Sequence, residues 1–274
     1  MTYDLHTHSY FSDGDLSPEA LVEAAVDHGI THLALTDHDS IAGLARAQRA
    51  AQEYDLSFVS GVEFSCDWNG QLLHVLGLSI DPDNDALNEG ARCNQRLRWQ
   101  RAEAMHADFQ RHDIDLTERV SELVGEHAVP TRPHFAQALI DQGVVSNKNQ
   151  AFRRFLVRGK VGYVPIEWPP LATVVEWIQA AGGVAVLAHP ARYRFTRTKL
   201  IRLIEDMKQC GAHTLEVTTP VTTPQESRSL ADLCRRFDLY ASTGSDFHSF
   251  HQPWARLGAA QPLEPNLTPV WSLF

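Results

Sequence analysis

The chain has 274 residues, a length that fits two domains or one large α/β barrel. Hydrophobic residues make up 43% of it and charged residues 21%, which is enough apolar material for a sizeable core. The formal net charge of −10 argues against an extended basic surface for long duplex nucleic acid. A small local phosphate site remains compatible with this charge.

Secondary-structure signals in the first part of the chain alternate between strand and helix. A short strand ends near His8, and Ser17-Pro18 begins a helix that Gly29 ends. Strands are predicted over 30–35 and 56–62 with a helix over 41–54 between them, and Asn69-Gly70 is typical of a hairpin turn before a strand over 72–80. This alternation favours a parallel α/β architecture.

The alternation stops at Asp81-Pro82-Asp83. A polar helix with four arginines is predicted over 84–110, and shorter helices over 133–142 and 148–157. We therefore divide the chain into a first barrel part, 1–84, a helical insertion, 85–161, that covers the substrate and contributes His134, and a second barrel part, 162–274.

Strand–helix alternation returns in the last part of the chain. Helices are predicted over 171–181, 198–210 and 224–237, and strands over 184–188, 214–217 and 239–243. No apolar run approaches the ~20 residues of a membrane span, and the N-terminus has no signal-peptide pattern. The four cysteines show no CxxC spacing, so we expect free thiols and a cytoplasmic protein.

Polar side chains cluster where the predicted strands end. His6 and His8 project from the same face of one strand, because every second side chain of a strand points the same way. The C-terminal strand ends of an α/β barrel surround one mouth, where active sites are built. The residues found at strand ends are His6, His8, Asp37, His38, Glu63, His189, Asp246 and His248.

These residues fall in ordered motifs that resemble those of the polymerase and histidinol phosphatase (PHP) family. The motifs are Asp-Leu-His-Thr-His, Ser-Asp-Gly, Thr-Asp-His-Asp-Ser, Gly-Val-Glu-Phe-Ser, His-Val-Leu-Gly, Arg-Pro-His-Phe, Leu-Ala-His-Pro and Gly-Ser-Asp-Phe-His. The resemblance covers essentially the whole chain. It implies a distorted (β/α)7 barrel with an inserted helical subdomain that holds up to three divalent metal ions.

The resemblance also implies a ligand set. The first ion would be held by His6, His8, Glu63 and Asp246. Glu63 would bridge to a second ion, completed by His74 and His134, and Asp13, His38 and His248 would hold a third. Imidazole and carboxylate without thiolate favour Mn²⁺, Fe²⁺, Zn²⁺ or Mg²⁺, of which we expect Mn²⁺.

Such a centre attracts anions even in an acidic protein, because the bound ions dominate the local electrostatics. A phosphate ester is the natural substrate, attacked in line by a hydroxide shared between two ions. We expect His189, Asp246 and Arg132 to act on the reacting phosphate. His189 is expected either to bind the phosphate or to protonate the leaving group. The alternative for His189 is a hydrogen bond at the start of a helix.

Basic residues near the centre are candidates for substrate binding. Arg132 precedes His134 by two residues and can grip a phosphate with two hydrogen bonds. Arg158 and Lys160 offer a second basic pocket, and Arg194, with Arg192 and Arg197, a third. Asp4 and Asp37 are expected to orient neighbouring imidazoles. Glu216 is expected either to touch the substrate or to form a salt bridge.

The compact length and the segment Phe-Leu-Val-Arg-Gly-Lys-Val-Gly-Tyr-Val-Pro look like the branch of 3′,5′-nucleotide bisphosphate phosphatases, some of which shorten RNA from its 5′ end. The resemblance implies hydrolysis of a small nucleotide bisphosphate to a nucleoside 5′-monophosphate, with short single-stranded RNA as a further substrate. Two alternatives stay open: a histidinol-phosphate phosphatase, and a non-catalytic metal-binding PHP module.

Overall fold

A single sheet curves into a nearly closed barrel. The computed structural model describes residues 1–252 and 254–274, and within these ranges seven strands pair in chain order. The strands are β1 (Tyr3–Asp4), β2 (His32–Leu35), β3 (Ser57–Trp68), β4 (Gln71–Leu78), β5 (Val184–Leu187), β6 (Thr214–Thr218) and β7 (Tyr240–Thr243).

One strand of the barrel runs against the others. β4 pairs antiparallel with both β3 and β5, whereas the remaining neighbours pair in parallel. The cause is the turn at Asn69 and Gly70, whose φ angles of 50° and 72° suit the tight hairpin that these two residue types favour. The distorted (β/α)7 barrel expected from the sequence is confirmed.

The barrel closes at a seam between the segments that follow β1 and β7. Thr7 and Phe247 form a parallel bridge there. The backbone N–H of Leu5 donates to the Thr243 carbonyl at 3.1 Å, and that of Asp246 donates to the His6 carbonyl at 2.8 Å. The seam therefore places two residues from opposite ends of the chain, His6 and Asp246, side by side.

Helices cover the outside of the barrel, and their ends follow the sequence signals. The Ser17 side chain caps the first helix by accepting from the Ala20 N–H at 3.1 Å, and Thr223 and Glu226 form a capping box. The helices are α1 (Pro18–Asp27), α2 (Leu44–Glu53), α3 (Asp85–Gln110), α4 (Thr117–Val124), α5 (Arg132–Asp141), α6 (Lys148–Ala151), α7 (Leu171–Ala180), α8 (Arg197–Gln209) and α9 (Pro224–Phe237).

Two main groups of buried side chains form the core. The larger joins the barrel strands to α1, α2 and α7–α9. The other lies among the helices after β4 and contains Phe109, Phe135 and Leu139. The division of the chain at 84/85 and 161/162 stays a prediction. All four cysteines are free thiols. In the described ranges, no helix is long and apolar enough to cross a membrane.

Candidate metal centre

Glu63, in β3, lies at the middle of a ring of imidazoles. Its Oε1 is 3.4 Å from His6 Nε2 and 3.0 Å from His74 Nδ1. Its Oε2 is 3.3 Å from His8 Nε2 and 2.8 Å from His38 Nδ1. The Glu63 side chain is fully buried. One carboxylate therefore connects imidazoles that come from three separate segments of the chain.

Asp246 completes a four-residue group with His6, His8 and Glu63. Its Oδ1 lies 3.3 Å from the Nε2 atom of each of the two histidines. One ligand atom from each of the four residues falls within 4.8 Å of all the others. The structure thus brings together the four residues that the sequence assigns to a first metal ion.

A second group forms at the rim of the same cluster from Asp13, His38 and His248, with His8 beside them. Asp13 Oδ1 is 3.3 Å from His248 Nε2 and 3.9 Å from His38 Nε2. These are the residues that the sequence assigns to a third ion.

The remaining group differs from the sequence assignment in one member. His38, Glu63 and His74 lie within ligand distance of one another, whereas His134 is in none of the groups found among the described residues. His134 Nδ1 accepts a hydrogen bond from the Thr131 N–H at 3.1 Å at the start of α5. The same nitrogen is 3.2 Å from Thr131 Oγ1. The role of His134 as a metal ligand stays a prediction.

The chemistry of the cluster fits divalent cations. Several buried ligand atoms, among them His6 Nε2, His8 Nε2, Asp13 Oδ1 and Glu63 Oε2, lack a hydrogen-bond partner among the described residues. Such orphaned atoms are costly unless something binds them. Neighbouring nitrogen and oxygen atoms are 3.3–3.4 Å apart. Ligand bonds of about 2.0–2.2 Å to one ion would set neighbouring ligand atoms about 3.0–3.5 Å apart.

Charge also favours a cation here. Burial raises the pKa of the Glu63 carboxyl, but His38, His74 and His6 more than offset it and hold this pKa well below its usual range. Burial lowers the pKa of His8, yet Asp246 and Glu63 raise it to about 9. The carboxylates are therefore ionised, and without metal a proton on His8 partly neutralises them.

Glu216 in β6 contacts His6 of the first group on the ring nitrogen that faces away from Glu63 and Asp246. Its Oε1 lies 3.0 Å from His6 Nδ1, so that Nδ1 carries the proton and Nε2 faces Glu63 and Asp246. Its Oε2 accepts from the His189 backbone N–H at 2.6 Å. The sequence left open whether Glu216 touches substrate or forms a salt bridge; the structure shows a buried contact with the His6 imidazole.

Asp4 and Asp37 support the backbone around the centre instead of binding imidazoles directly. Asp4 accepts from the Ser245 N–H at 2.7 Å and from the Gly258 N–H at 2.9 Å. Asp37 accepts from the Ser9 N–H at 2.8 Å. Burial raises the pKa of each carboxyl to about 6. Asp37 also accepts from Ser12 Oγ at 2.7 Å, and that hydroxyl lies 3.4 Å from His8 Nδ1. That the two aspartates orient neighbouring imidazoles stays a prediction.

Comparison with known proteins agrees with this geometry. Residues 4–150 match the model of the PHP domain. The chain is 39% identical to a 5′-3′ exoribonuclease of Haemophilus influenzae over 99% of this chain and 98% of that protein. The chain belongs to the PHP family. It is also 38% identical to a 3′,5′-nucleoside bisphosphate phosphatase of Chromobacterium violaceum, over 98% of this chain and 94% of the relative.

A solved structure has a fold that is very similar to that of this chain. It is an amidohydrolase from Chromobacterium violaceum with bound sulfate and no metal, 37% identical, with a TM-score of 0.94 over 99% of this chain and 95% of that one. The family resemblance seen in the sequence is confirmed. This PHP protein is a metal-dependent phosphoesterase, and thus a hydrolase of phosphate esters.

The residues expected to bind substrate in this PHP protein are spread over three cavities. A central cavity of about 210 Å³ is lined by His189, Arg132 and Arg192, together with five residues of the cluster: Asp13, His38, His74, Asp246 and His248. Arg158 lines a neighbouring side cavity of about 570 Å³. Arg194 lines a third cavity, which adjoins the central one at His189 and Arg192. Lys160 is exposed and lines none of these three.

Sequence reasoning underrated three arginines near the centre. Arg192 forms an ion pair with Asp246 inside the central cavity. Arg98 and Arg101, which the sequence places on a polar helix, are only 4% and 6% exposed. Their spacing of three residues on a helix was the available signal, since such residues share one face.

Backbone strain marks the same region. Asp39, His189 and Asp246 have φ angles of 52°, 35° and 52°, in the left-handed region that residues other than glycine rarely adopt. Strain of this kind costs roughly 1–3 kcal/mol per residue and concentrates at functional sites. At Asp246 it accompanies the turn that aims the carboxylate at His6 and His8.

Proposed function

We propose that this PHP protein hydrolyses the 3′-phosphate of a nucleoside 3′,5′-bisphosphate to give a nucleoside 5′-monophosphate and phosphate. The observation that carries the proposal is the three-part cluster around Glu63, which opens into a cavity lined by arginines. The relative from Chromobacterium violaceum named as a 3′,5′-nucleoside bisphosphate phosphatase supports this substrate class.

In this proposal the ions are held by three groups of ligands. His6, His8, Glu63 and Asp246 hold one, Glu63 with His74 and His38 or His134 a second, and Asp13, His38 and His248 a third, with Mn²⁺ the expected metal. When bound, such ions activate water for attack on phosphorus and neutralise charge on the phosphate. The bond that breaks is the one between phosphorus and the 3′-oxygen.

The protein's own side chains bind and orient the substrate. Arg132 lines the central cavity, where its planar guanidinium matches the geometry of phosphate oxygens. His189 lines the cavity opposite, and its Nε2 lies 3.1 Å from Glu63 Oε1. A ring nitrogen of His189 then donates a hydrogen bond to the departing 3′-oxygen. Arg158, at the outer end of the side cavity, attracts the substrate, and Lys160 and Arg194 add positive charge around the entrance.

A 5′→3′ exoribonuclease activity on short single-stranded RNA is the second candidate. It is favoured by the name of the relative from Haemophilus influenzae. Release of a nucleoside 5′-monophosphate from an RNA 5′ end breaks the same phosphorus–3′-oxygen bond. The two substrates differ only in whether the reacting phosphate also carries another nucleotide. The cavity of about 310 Å³ beyond His189 and Arg192 offers space for that nucleotide.

The test is phosphate release from adenosine 3′,5′-bisphosphate by protein loaded with Mn²⁺, with adenosine 5′-monophosphate identified by chromatography. Glu63→Ala should abolish turnover, and Glu118→Gln, a change at an exposed carboxylate of α4, should leave it intact. A release rate no higher than that of Glu63→Ala, or faster turnover of histidinol phosphate, would overturn the proposal. A short 5′-phosphorylated RNA assayed in parallel tests the second activity.

A further inference from the structure

Two cavities meet at one wall of the centre. Arg101, Arg132, Leu72 and Trp168 line both the central cavity and the side cavity. The side cavity, at about 570 Å³, falls within the roughly 300–1,000 Å³ typical of small-molecule sites. A molecule with one end at the metal cluster would therefore pass this wall on its way into the side cavity.

The arginines at this wall outnumber the acidic side chains that pair with them. Arg98 is paired: its Nε donates to Asp39 Oδ2 at 2.6 Å, and its Nη2 donates to Ser65 Oγ at 2.9 Å. Arg101 and Arg132 form no ion pair and no hydrogen bond with any residue in the described part of the chain. Buried charges normally have a partner, because an unpaired one costs several kcal/mol.

Arg101 is held in place although it lacks a counterion. It is only 6% exposed, and its Cζ lies 5.4 Å from the centre of the Trp168 ring, on which Arg98 also packs at 5.4 Å. Burial, with the charges of Arg98 and Arg132, lowers the pKa of Arg101 to about 9, so the guanidinium still carries its charge at pH 7. The structure thus keeps a rigid, charged donor group facing the cavities without an anion.

We propose that Arg101 binds the phosphate group of the substrate that is not hydrolysed, and that the nucleoside lies in the side cavity. This inference rests on the proposed function and names the residue that selects a doubly phosphorylated substrate. Two unpaired guanidinium groups match two phosphates. Arg132 packs on Phe152, which lines the central cavity alone, and serves the reacting phosphate; Arg101 packs on Trp168, which lines both cavities, and serves the other. Asp67 and Glu167 also line the side cavity and repel a phosphate. Arg158 lies in the same lining but is exposed, whereas Arg101 is buried, so Arg101 offers the less solvated charge to the phosphate.

The kinetic test compares two substrates that share the same reacting ester. Adenosine 3′,5′-bisphosphate carries the second phosphate, and adenosine 3′-monophosphate lacks it. Arg101→Met keeps an unbranched side chain like the stem of arginine and removes the guanidinium group with its charge. We expect it to raise KM for the bisphosphate on the order of 10- to 100-fold and to raise KM for the monophosphate much less. Arg96→Met, at an exposed position on the same helix, should change neither.

A binding measurement gives a readout that does not depend on turnover. Calorimetric titration with adenosine 5′-monophosphate, the product that keeps only the second phosphate, should show at least about tenfold weaker binding to Arg101→Met than to the unchanged protein. Arg101→Lys, which keeps the charge but loses the paired hydrogen bonds, should fall between them. This variant also decides the matter if Arg101→Met does not fold.

The outcomes separate the inference from the proposed function. Equal losses on both nucleotide substrates, or unchanged binding of adenosine 5′-monophosphate, would overturn the role of Arg101. If the unchanged protein did not hydrolyse the bisphosphate but bound adenosine 5′-monophosphate through Arg101, the proposed function would fail and the phosphate subsite would stand.

Discussion

His6 Nδ1 lies 3.0 Å from Glu216 Oε1, and both side chains are fully buried. This contact fixes the tautomer of His6 and turns Nε2 toward Glu63 and Asp246. Outer partners of this kind typically change metal affinity about 10- to 100-fold. Glu216 is thus a positioning residue for the centre.

The first prediction concerns Glu216. Glu216→Gln should weaken Mn²⁺ binding at the His6 group about 10- to 100-fold, because an amide leaves the His6 tautomer unfixed. Metal titration followed by calorimetry measures this. Glu205→Gln, at an exposed position of α8, is the matched control. Equal affinity in both variants would show that the contact does not orient His6.

The second prediction concerns metal removal. A ligand that binds only the folded state stabilises it by about 2.7 kcal/mol at 100 times its Kd. For a chain of this length, that corresponds to a rise in Tm of roughly 5 °C or more. We expect scanning calorimetry to show such a rise when Mn²⁺ replaces a chelator. Glu63→Ala, which keeps only the group of Asp13, His38 and His248, should respond less, and an unchanged Tm in the natural sequence would contradict metal binding at the cluster.

The third prediction concerns His134. In the structure His134 Nδ1 accepts from the Thr131 N–H, so Nε2 carries the proton. A change of tautomer that lets Nδ1–H donate to Thr131 Oγ1 would free Nε2 to bind an ion. We therefore expect His134→Ala to lower the bound metal by about one ion per chain, as His74→Ala would. Elemental analysis after dialysis checks this. A full metal content in His134→Ala alone would leave His38, Glu63 and His74 as the second site.

The fourth prediction concerns the buried pair of Asp39 and Arg98. Asp39 also accepts from Asn94 Nδ2 at 2.7 Å and from the Ser65 N–H at 2.8 Å. Asp39→Asn leaves Arg98 buried without a countercharge, which should cost about 3–5 kcal/mol of unfolding free energy. Urea denaturation measures the loss.

Asp238→Asn is the control for that experiment. Asp238 has a φ of 54°, close to the 52° of Asp39, but its side chain is exposed. Asparagine tolerates this backbone region, so the control should change the unfolding free energy by less than about 0.5 kcal/mol. A similar loss in both variants would assign the effect to the backbone instead of the ion pair.

The sequence predicts the centre better than its surroundings. Strand patterns place His6 and His8 just after β1, where parallel topology makes the strand ends converge. The sequence predicts Glu63 just after a strand over 56–62, whereas it lies inside β3, which continues to Trp68 as the first arm of the hairpin. The hairpin at Asn69-Gly70 is also predictable, because its turn type depends on the preferences of these two adjacent residues. These features depend on short-range patterns, which can be recognised in a single sequence.

Features that depend on contacts between distant elements were not predictable. Arg98 and Arg101 look like solvated charges on a polar helix, and only the packing of α3 against the barrel buries them. Glu216 could be a substrate contact or a salt bridge until the fold placed it behind His6. In each case the deciding partner lies far away in the sequence, where periodicity carries no information.

Metal binding is also expected to affect how the two edges of the sheet join at the seam of the barrel. β1 has only two residues, so few backbone hydrogen bonds join the two edges of the sheet. His6 and His8 from one edge and Asp246 from the other share the first group of ligands. A cation bound there would be coordinated from both edges of the sheet. Closure of the barrel would then be coupled to assembly of the metal centre. Amide hydrogen exchange at Leu5 and Asp246 would then slow on metal binding while the opposite wall stayed unchanged.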